Sequence, residues 1–251
     1  MRIKFNKKIE FFLKKVFFSQ SFLLKRRLDR AIRKNEEEEI KLVKKYTTQY
    51  TDSLDIGVYR GIYAYEMSKY SKTVHAFEAN PLIFNDLREN LQKIKRNIIF
   101  YNYALSNKTQ NIKIKIPIRN PHSDKQNYEE YYKLGTATVH PENDIEKYEE
   151  FNVKSKKIDE FDFNNKISLI KIDVEGHEIP VIEGGIEVIK KNKPVLIVEI
   201  DEKYSKNKAL FTINYINSIG YNSYYYCNDM LESTDKLDDL NKYSNFIFLP
   251  K

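Results

Sequence analysis

Residues 53–67 read SLDIGVYRGIYAYEM, and the change of rhythm inside that stretch decides the fold. Ser53–Ile56 form a short β run, and from Ile62 to Tyr70 the apolar side chains recur with a helical period. Between them stand Gly57 and Gly61, two of only 7 glycines among 251 residues. Glycines this scarce mark backbone that needs positive φ or close approach. Gly57 lets the chain bend sharply after the strand, Gly61 lets the helix pack close, and Asp55 puts a carboxylate into the crevice between them.

The same alternation runs outward through the chain. Further β runs are Thr73–Glu78, Asn97–Tyr103, Ile112–Ile116, Ile167–Asp173, Pro194–Ile200, Ser223–Cys227 and Asn245–Leu249. Helical periods fall at Pro81–Ile94, Ile179–Lys190 and Lys208–Ile219. Asn80-Pro81 is a cap followed by a first-turn proline, and Gly220 stands where a helix stop belongs. Strand alternating with helix predicts a doubly wound α/β sheet with parallel strands. The polar, Tyr-rich residues 117–150 break the rhythm and read as an insertion over one sheet edge.

In such a sheet, ligands bind beyond the carboxyl ends of the strands. The second strand ends at Glu78, 23 residues after Asp55, where a carboxylate is placed to hold both hydroxyls of a ribose. The third ends Asn102-Tyr103-Ala104-Leu105, suited to lie against an adenine. These residues predict an adenosine-containing ligand. The phosphate-binding pattern G-x-G-x-x-G is absent, and Asp55 would repel a pyrophosphate. S-adenosylmethionine, with an ammonium, a sulfonium and no phosphate, suits an acidic turn. A tight strand-to-helix turn with no ligand is the plainer reading of the two glycines.

Residues 169–178, LIKIDVEGHE, crowd acids and an imidazole at the next strand end, and Glu199 and Asp201 close the one after. Asp173, Glu175 and His177 are the catalytic candidates: such a group positions a hydroxyl and takes its proton. In the alternative, Glu175 caps the following helix, His177 and Glu178 are solvated in its first turn, and only Asp173 faces the crevice. The lone Cys227 and 4 histidines show no zinc spacing, and no metal is expected.

The formal charge of +7 divides unevenly. Residues 1–35 hold 12 Lys and Arg against Glu10 and Asp29, a net +10, which leaves the other 216 residues at −3. That mildly acidic body argues against a nucleic-acid partner. Apolar residues Phe5, Ile9, Phe12, Leu13, Val16, Phe17, Leu24, Leu28, Ala31 and Ile32 put residues 3–34 on an amphipathic helix, broken near Ser19–Ser21. Two readings stay open for residues 1–34: a peripheral membrane contact drawn by anionic lipid, or an arm that packs on the domain. Residues 35–46 read as a helical spacer in which Glu37 pairs with Lys41. No apolar run reaches the ~18–20 residues of a spanning helix, and the expected location is cytoplasmic, at most peripheral on the inner face of a membrane.

The residues from 55 to 250 also resemble the FkbM-type S-adenosylmethionine-dependent methyltransferases. The matching strings are DIGVYRGIY, FEANPLIFNDLRENL, NYALSN, KIDVEGHEIPVIEGG, KPVLIVEI and NFIFLP, in family order. The resemblance implies a class I, Rossmann-like three-layer sandwich with a mostly parallel seven-stranded sheet, in order 3-2-1-4-5-7-6 with the last strand antiparallel. The N-terminal helical extension (1–46) precedes that domain (47–251). It implies cofactor contacts from Asp55, Gly57, Gly61 and Glu78, with Asp173 and Glu175 beside the methyl group. Members often carry Asn two residues after the first glycine; Tyr59 stands there, at the methionine end of the cofactor pocket. The implied activity is O-methylation of a sugar, glycan or other small hydroxyl acceptor. The contrasting class is a non-catalytic binding or scaffold protein that keeps the fold. Acceptor choice is assigned to residues 117–150, where Tyr128, Tyr131 and Tyr132 either stack on a sugar ring or cover the sheet edge. Oligomeric state is not legible.

Overall fold

The computed structural model describes residues 19–34, 37–125, 128–140, 147–201 and 208–251. One sheet of eight strands runs in the order β10-β9-β11-β8-β7-β1-β2-β3. These strands are β1 (Asp52–Ile56), β2 (Val74–Phe77), β3 (Ile98–Tyr101), β7 (Ile167–Ile172), β8 (Val195–Glu199), β9 (Tyr221–Cys227), β10 (Met230–Ser233) and β11 (Asn245–Pro250). From β3 to β8 every pairing is parallel. β11 then runs antiparallel to both β8 and β9, and β10 returns as a hairpin on β9. The expected order is therefore present, but the sheet is mixed and has eight strands, not seven. β10 escaped the sequence reading because its Met-Leu-Glu-Ser is exposed or half-buried and lacks clean alternation.

A second sheet, β4-β6-β5, joins Ala104–Leu105 (β4), Gln110–Pro117 (β5) and Tyr148–Lys156 (β6). The expected third strand, 97–103, thus divides: Asn102 turns its side-chain amide onto the Glu78 carbonyl at 2.7 Å, and the chain leaves for the second sheet.

Helices cover both faces of the large sheet. On one side lie α1 (Gln20–Arg33), α2 (Lys41–Tyr46), α3 (Ile62–Met67) and α4 (Pro81–Ile94). On the other lie α6 (Glu178–Glu183), α7 (Ile186–Asn192) and α8 (Lys208–Ser218), while the short α5 (Tyr128–Tyr131) belongs to the insertion. Strand parity sorts the core: Val74, Ala76, Leu169 and Ile197 face the first layer, and Leu54, Ile56, Ile170, Ile172 and Val198 face the second. Each such Val, Leu or Ile side chain withdrawn from water contributes about 1.5–3 kcal/mol. α4 starts as its sequence requires, with Asn80 Oδ1 accepting from Leu82 N–H at 3.0 Å. The expected helix 179–190 is instead two, broken at Gly184-Gly185. A Cβ on Gly184 would lie 2.0 Å from the Ser106 carbonyl oxygen, so backbone passes there where a side chain cannot.

Ser19 accepts from Phe22 N–H at 3.2 Å and starts α1, which explains the break near Ser19–Ser21. The apolar face of α1 lies on the protein: Leu28 and Ala31 are buried, Leu24 and Ile32 join the same core, and the Tyr65 hydroxyl donates to Asp29 at 2.9 Å. Phe5–Phe17, the first half of that predicted helix, lie outside the described residues. Residues 37–46 are no spacer, because Ile40, Leu42 and Val43 are buried in the first-layer core. Lys41 pairs with Asp229 at 2.6 Å rather than with Glu37. Among the described residues no helix is long and apolar enough to cross a membrane.

Candidate active site

The carboxyl ends of β1, β2 and β7 meet at one point. Gly57 N–H donates to the Phe77 carbonyl and Asp173 N–H to the Ile56 carbonyl, each at 2.9 Å, so the ladder continues into the loops. Gly57 has φ 85°. A Cβ there would sit 1.7 Å from the Asp173 carbonyl oxygen, a distance no side chain tolerates. Tyr59 follows with φ 45°, a left-handed conformation that Asn adopts more readily than Tyr. Its ring is turned onto the insertion, where a Cβ on Gly135 would lie 2.7 Å from it.

That turn aims the Tyr59 N–H at Glu78 Oε2 (2.8 Å), while Asn80 N–H donates to Glu78 Oε1 (2.7 Å). Glu78 is buried, and burial pushes its pKa up against the pull of the N–H groups of Asn80, Tyr59 and Ala79. Each carboxylate oxygen keeps a second lone pair for an outside hydroxyl. Glu78, Gly57, Tyr103, Ala104, Leu105 and Val174 line a largely apolar cleft closed by Ala137 and Val139 of the insertion. His177 also lines it, with Nε2 2.9 Å from Ser106 Oγ. The insertion therefore lies over the strand ends rather than over a sheet edge.

A second cleft adjoins the first through Gly57 and Asp173 and is lined by Asp55, Tyr59, Arg60, Tyr63, Lys171 and Glu37. Asp55 stands opposite Lys171 in the β1–β7 register. Its Oδ2 is buried without a hydrogen-bond partner, and burial pushes its pKa up to about 7 against the field of Lys171. Lys171 is 2% exposed. Its Nζ donates to Asn245 Oδ1 at 3.0 Å, lies 3.4 Å from Glu199 Oε2, and sits 5.1 Å over the Tyr63 ring. Burial works to neutralise this ammonium, but Asp173, Glu199, Glu37 and Asp55 outweigh it and leave its pKa raised. Burial likewise drives the Asp173 pKa well above the usual carboxylate range; Lys171 opposes that shift, and Glu199 and Glu175 add to it.

After β7 the chain makes two left-handed residues in succession, Glu175 (φ 47°) and Gly176 (φ 105°). Thr138 of the insertion donates its hydroxyl to the Glu175 carbonyl at 2.7 Å. The side chain that ties this turn is Glu178, whose Oε1 accepts from Gly176 N–H at 2.8 Å. Glu178 is 1% exposed, so the picture of a solvated first turn capped by Glu175 is overturned. Glu175, Asp173, Glu199 and Asp201 share one small space behind it.

Of the residues singled out in the sequence, Gly57, Glu78, Ala104, Asp173 and His177 meet in the first cleft, and Asp55 and Tyr59 in the second. Gly61 lines neither. Its φ of 78° and its contact with Leu91 and Leu87 serve helix packing. Tyr132 is buried and donates to Glu149 at 2.7 Å, and Tyr131 packs on it, so both serve the insertion's own core. The side chain of Tyr128 lies outside what is described. Sequence reasoning missed Lys171, Tyr63, Thr138 and Glu37. Lys171 did leave a signal, a lone charge inside an apolar run that reads as a strand buried on both faces. Glu37 left none. Among the described residues no group of three or more His, Cys, Asp and Glu is arranged to hold a metal ion.

Among solved structures, the chain is similar to methyltransferase FkbM from Methylobacillus flagellatus. The TM-score is 0.51 and the identity 14%, over 80% of this chain and 44% of that one, so this chain spans less than half of that protein's length. It is more distantly similar to an rRNA methylase from Streptococcus thermophilus (TM-score 0.45, 10% identity, 85% of this chain and 94% of that one). A precorrin-6y C5,15-methyltransferase from Geobacter metallireducens follows (0.43, 12%, 84% and 86%). No curated protein matches. The structural likeness at such identities speaks for the fold alone, whereas residues 55–223 match the Methyltransferase FkbM domain, and that span contains the carboxyl ends of β1, β2 and β7. On that match the chain belongs to the FkbM methyltransferase family.

Proposed function

We propose that the protein transfers a methyl group from S-adenosylmethionine to a hydroxyl of a sugar, glycan or related small molecule. The observation that carries this reading is the pairing of Glu78, braced by two backbone N–H groups, with the orphaned Asp55 oxygen across the Gly57 turn. The residues fit the cofactor. Glu78 has lone pairs for a ribose, Tyr103, Ala104 and Leu105 offer an apolar wall for adenine, and Asp55 Oδ2 lacks the donor that an ammonium would bring. Only glycine at 57 lets the turn between the two carboxylates pass so close to the Asp173 carbonyl.

S-adenosylmethionine supplies an electrophilic methyl on a sulfonium. The protein's share is to hold the acceptor oxygen in line, worth several kcal/mol as pre-paid orientation, and to receive its proton. Asp173 lines both clefts, and its raised pKa makes it a stronger base than an ordinary carboxylate when ionised. Lys171 tempers that shift from the buried side. Glu175 and His177 border the same region, with the Glu175 carbonyl fixed by Thr138.

Calorimetry with S-adenosylmethionine tests the first half of the reading: binding to the wild type and at least tenfold weaker binding to Glu78→Ala are expected. No heat and no thermal shift at millimolar cofactor would sink it and favour a scaffold. For the second half, Asp173→Asn is expected to keep cofactor binding and to lose at least 100-fold in the transfer of labelled methyl to glycans of the source cell. Full transfer by that variant removes Asp173 as the base.

A further inference from the structure

A third cleft opens between α1, α4 and the insertion, with Tyr59 and Arg60 as a wall shared with the cleft of Asp55 and Asp173. Three guanidinium groups line it from segments far apart in the sequence: Arg27 on α1, Arg60 on the turn after β1, and Arg119 in the insertion. All three are exposed. Among the described residues none is engaged by a carboxylate; Arg60 alone has a side-chain contact, lying 5.2 Å over the Tyr59 ring. Tyr59 is itself pinned by its left-handed backbone and by Gly135, which keeps Arg60 at the junction of the two clefts. A fork of arginines with no protein anion to satisfy it matches an oxyanion from outside, because guanidinium binds carboxylate and phosphate through two parallel hydrogen bonds.

The rest of the lining is not that of a bare anion site. Asp86 and Glu129 bring acceptor oxygens, which repel an anion but receive hydroxyl protons, and Ile83 and Leu134 give an apolar floor. Cations for one end of a ligand, acceptors for its hydroxyls and an apolar surface for a ring fit an acidic sugar. We propose that this cleft binds a sugar bearing an oxyanion, phosphate or carboxylate, with Arg27, Arg60 and Arg119 holding the charge. Its identity as the methyl acceptor rests on the function proposed above; its binding to the cleft does not.

The test uses the full chain and three probes, glucose 1-phosphate, glucuronate and glucose, with inorganic phosphate as control. Titrations are followed by calorimetry or by the arginine side-chain N–H signals in NMR. Either charged sugar is expected to bind at least tenfold more tightly than glucose and than phosphate, the better of the two naming the oxyanion. Arg27→Ala/Arg119→Ala, which leaves the walls of the cofactor clefts intact, is expected to weaken that probe at least tenfold while S-adenosylmethionine affinity stays within twofold. Circular dichroism and the cofactor titration report that the variant is folded. Equal binding of glucose and the charged sugars, equal binding of phosphate alone, or unchanged affinity in the double variant overturns the proposal. Arginine-dependent sugar binding in a protein that ignores S-adenosylmethionine upholds the site and overturns the methyltransferase reading instead.

Discussion

Replacing Asp55 by Asn is expected to stabilise the ligand-free protein at neutral and alkaline pH while weakening its hold on cofactor. Burial raises the Asp55 pKa from 3.8 to about 7. At ~1.4 kcal/mol per pH unit that gap amounts to about 4 kcal/mol once the group is ionised in the folded state. The sign follows from proton counting. Between pH 4 and pH 7 the folded chain holds one proton more than the unfolded chain at this site, so stability falls as pH rises and levels off above 7. Asn has the same shape and does not titrate. Lys171 keeps Asp173, Glu199 and Glu37 as counter-charges in the variant. Urea unfolding of both proteins without cofactor at half-unit steps from pH 4 to 9 reads the effect. The variant is expected to gain on the wild type from near zero at pH 4 to about 4 kcal/mol at pH 8. In calorimetry, wild-type affinity for S-adenosylmethionine is expected to rise from pH 5 to 8 with release of a proton, and the variant's to stay low and flat. Parallel stability profiles, or a variant less stable than the wild type at pH 8, would refute the claim that Asp55 is held at a cost for a cation.

Two other substitutions probe the scaffold around it. Gly57→Ala is expected to cost more than about 3 kcal/mol by denaturant unfolding and to disturb the strand ends, because its Cβ meets backbone at 1.7 Å. Gly220→Ala, at φ 105° with nothing within 4 Å, carries backbone strain alone and is expected to cost about 1–2 kcal/mol; equal losses at the two sites would deny the close approach. Lys171→Met is expected to lose about 3–5 kcal/mol, as breaking a buried charge group does. It should also move the Asp55 titration upward in the pH profile; an unmoved titration would mean that Lys171 does not govern the acids around it.

The strand-turn-helix rhythm of residues 53–67, the cap at Asn80-Pro81 and the alternation beyond them are local, and local pattern determines an α/β fold with parallel strands and a crevice at their carboxyl ends. Gly57, Glu78 and Asp173 were legible for the same reason, since each stands at a strand end that periodicity alone locates. The insertion was legible as a break in rhythm, but its place was not. Thr138 on the Glu175 carbonyl and Gly135 against Tyr59 put it over the site, and neither contact leaves a periodic trace. Of the second sheet Ile112–Ile116 was legible as a strand, whereas β4, β6 and the β10 hairpin were not, because β4 is two residues long and β6 and β10 bury few apolar side chains.

The sequence by itself thus determined where the chemistry stands along the chain, through period, glycine and charge. What only the tertiary structure decided is which charges share a space. Asp55 meets Lys171 through the β1–β7 register, across more than 100 residues, and Glu37 reaches both because the chain before β1 packs into the first helical layer against the sheet. Register and chain return are set by packing of the whole core rather than by any neighbouring residue. The field that raises one carboxyl and keeps one ammonium charged is therefore a property of the folded protein.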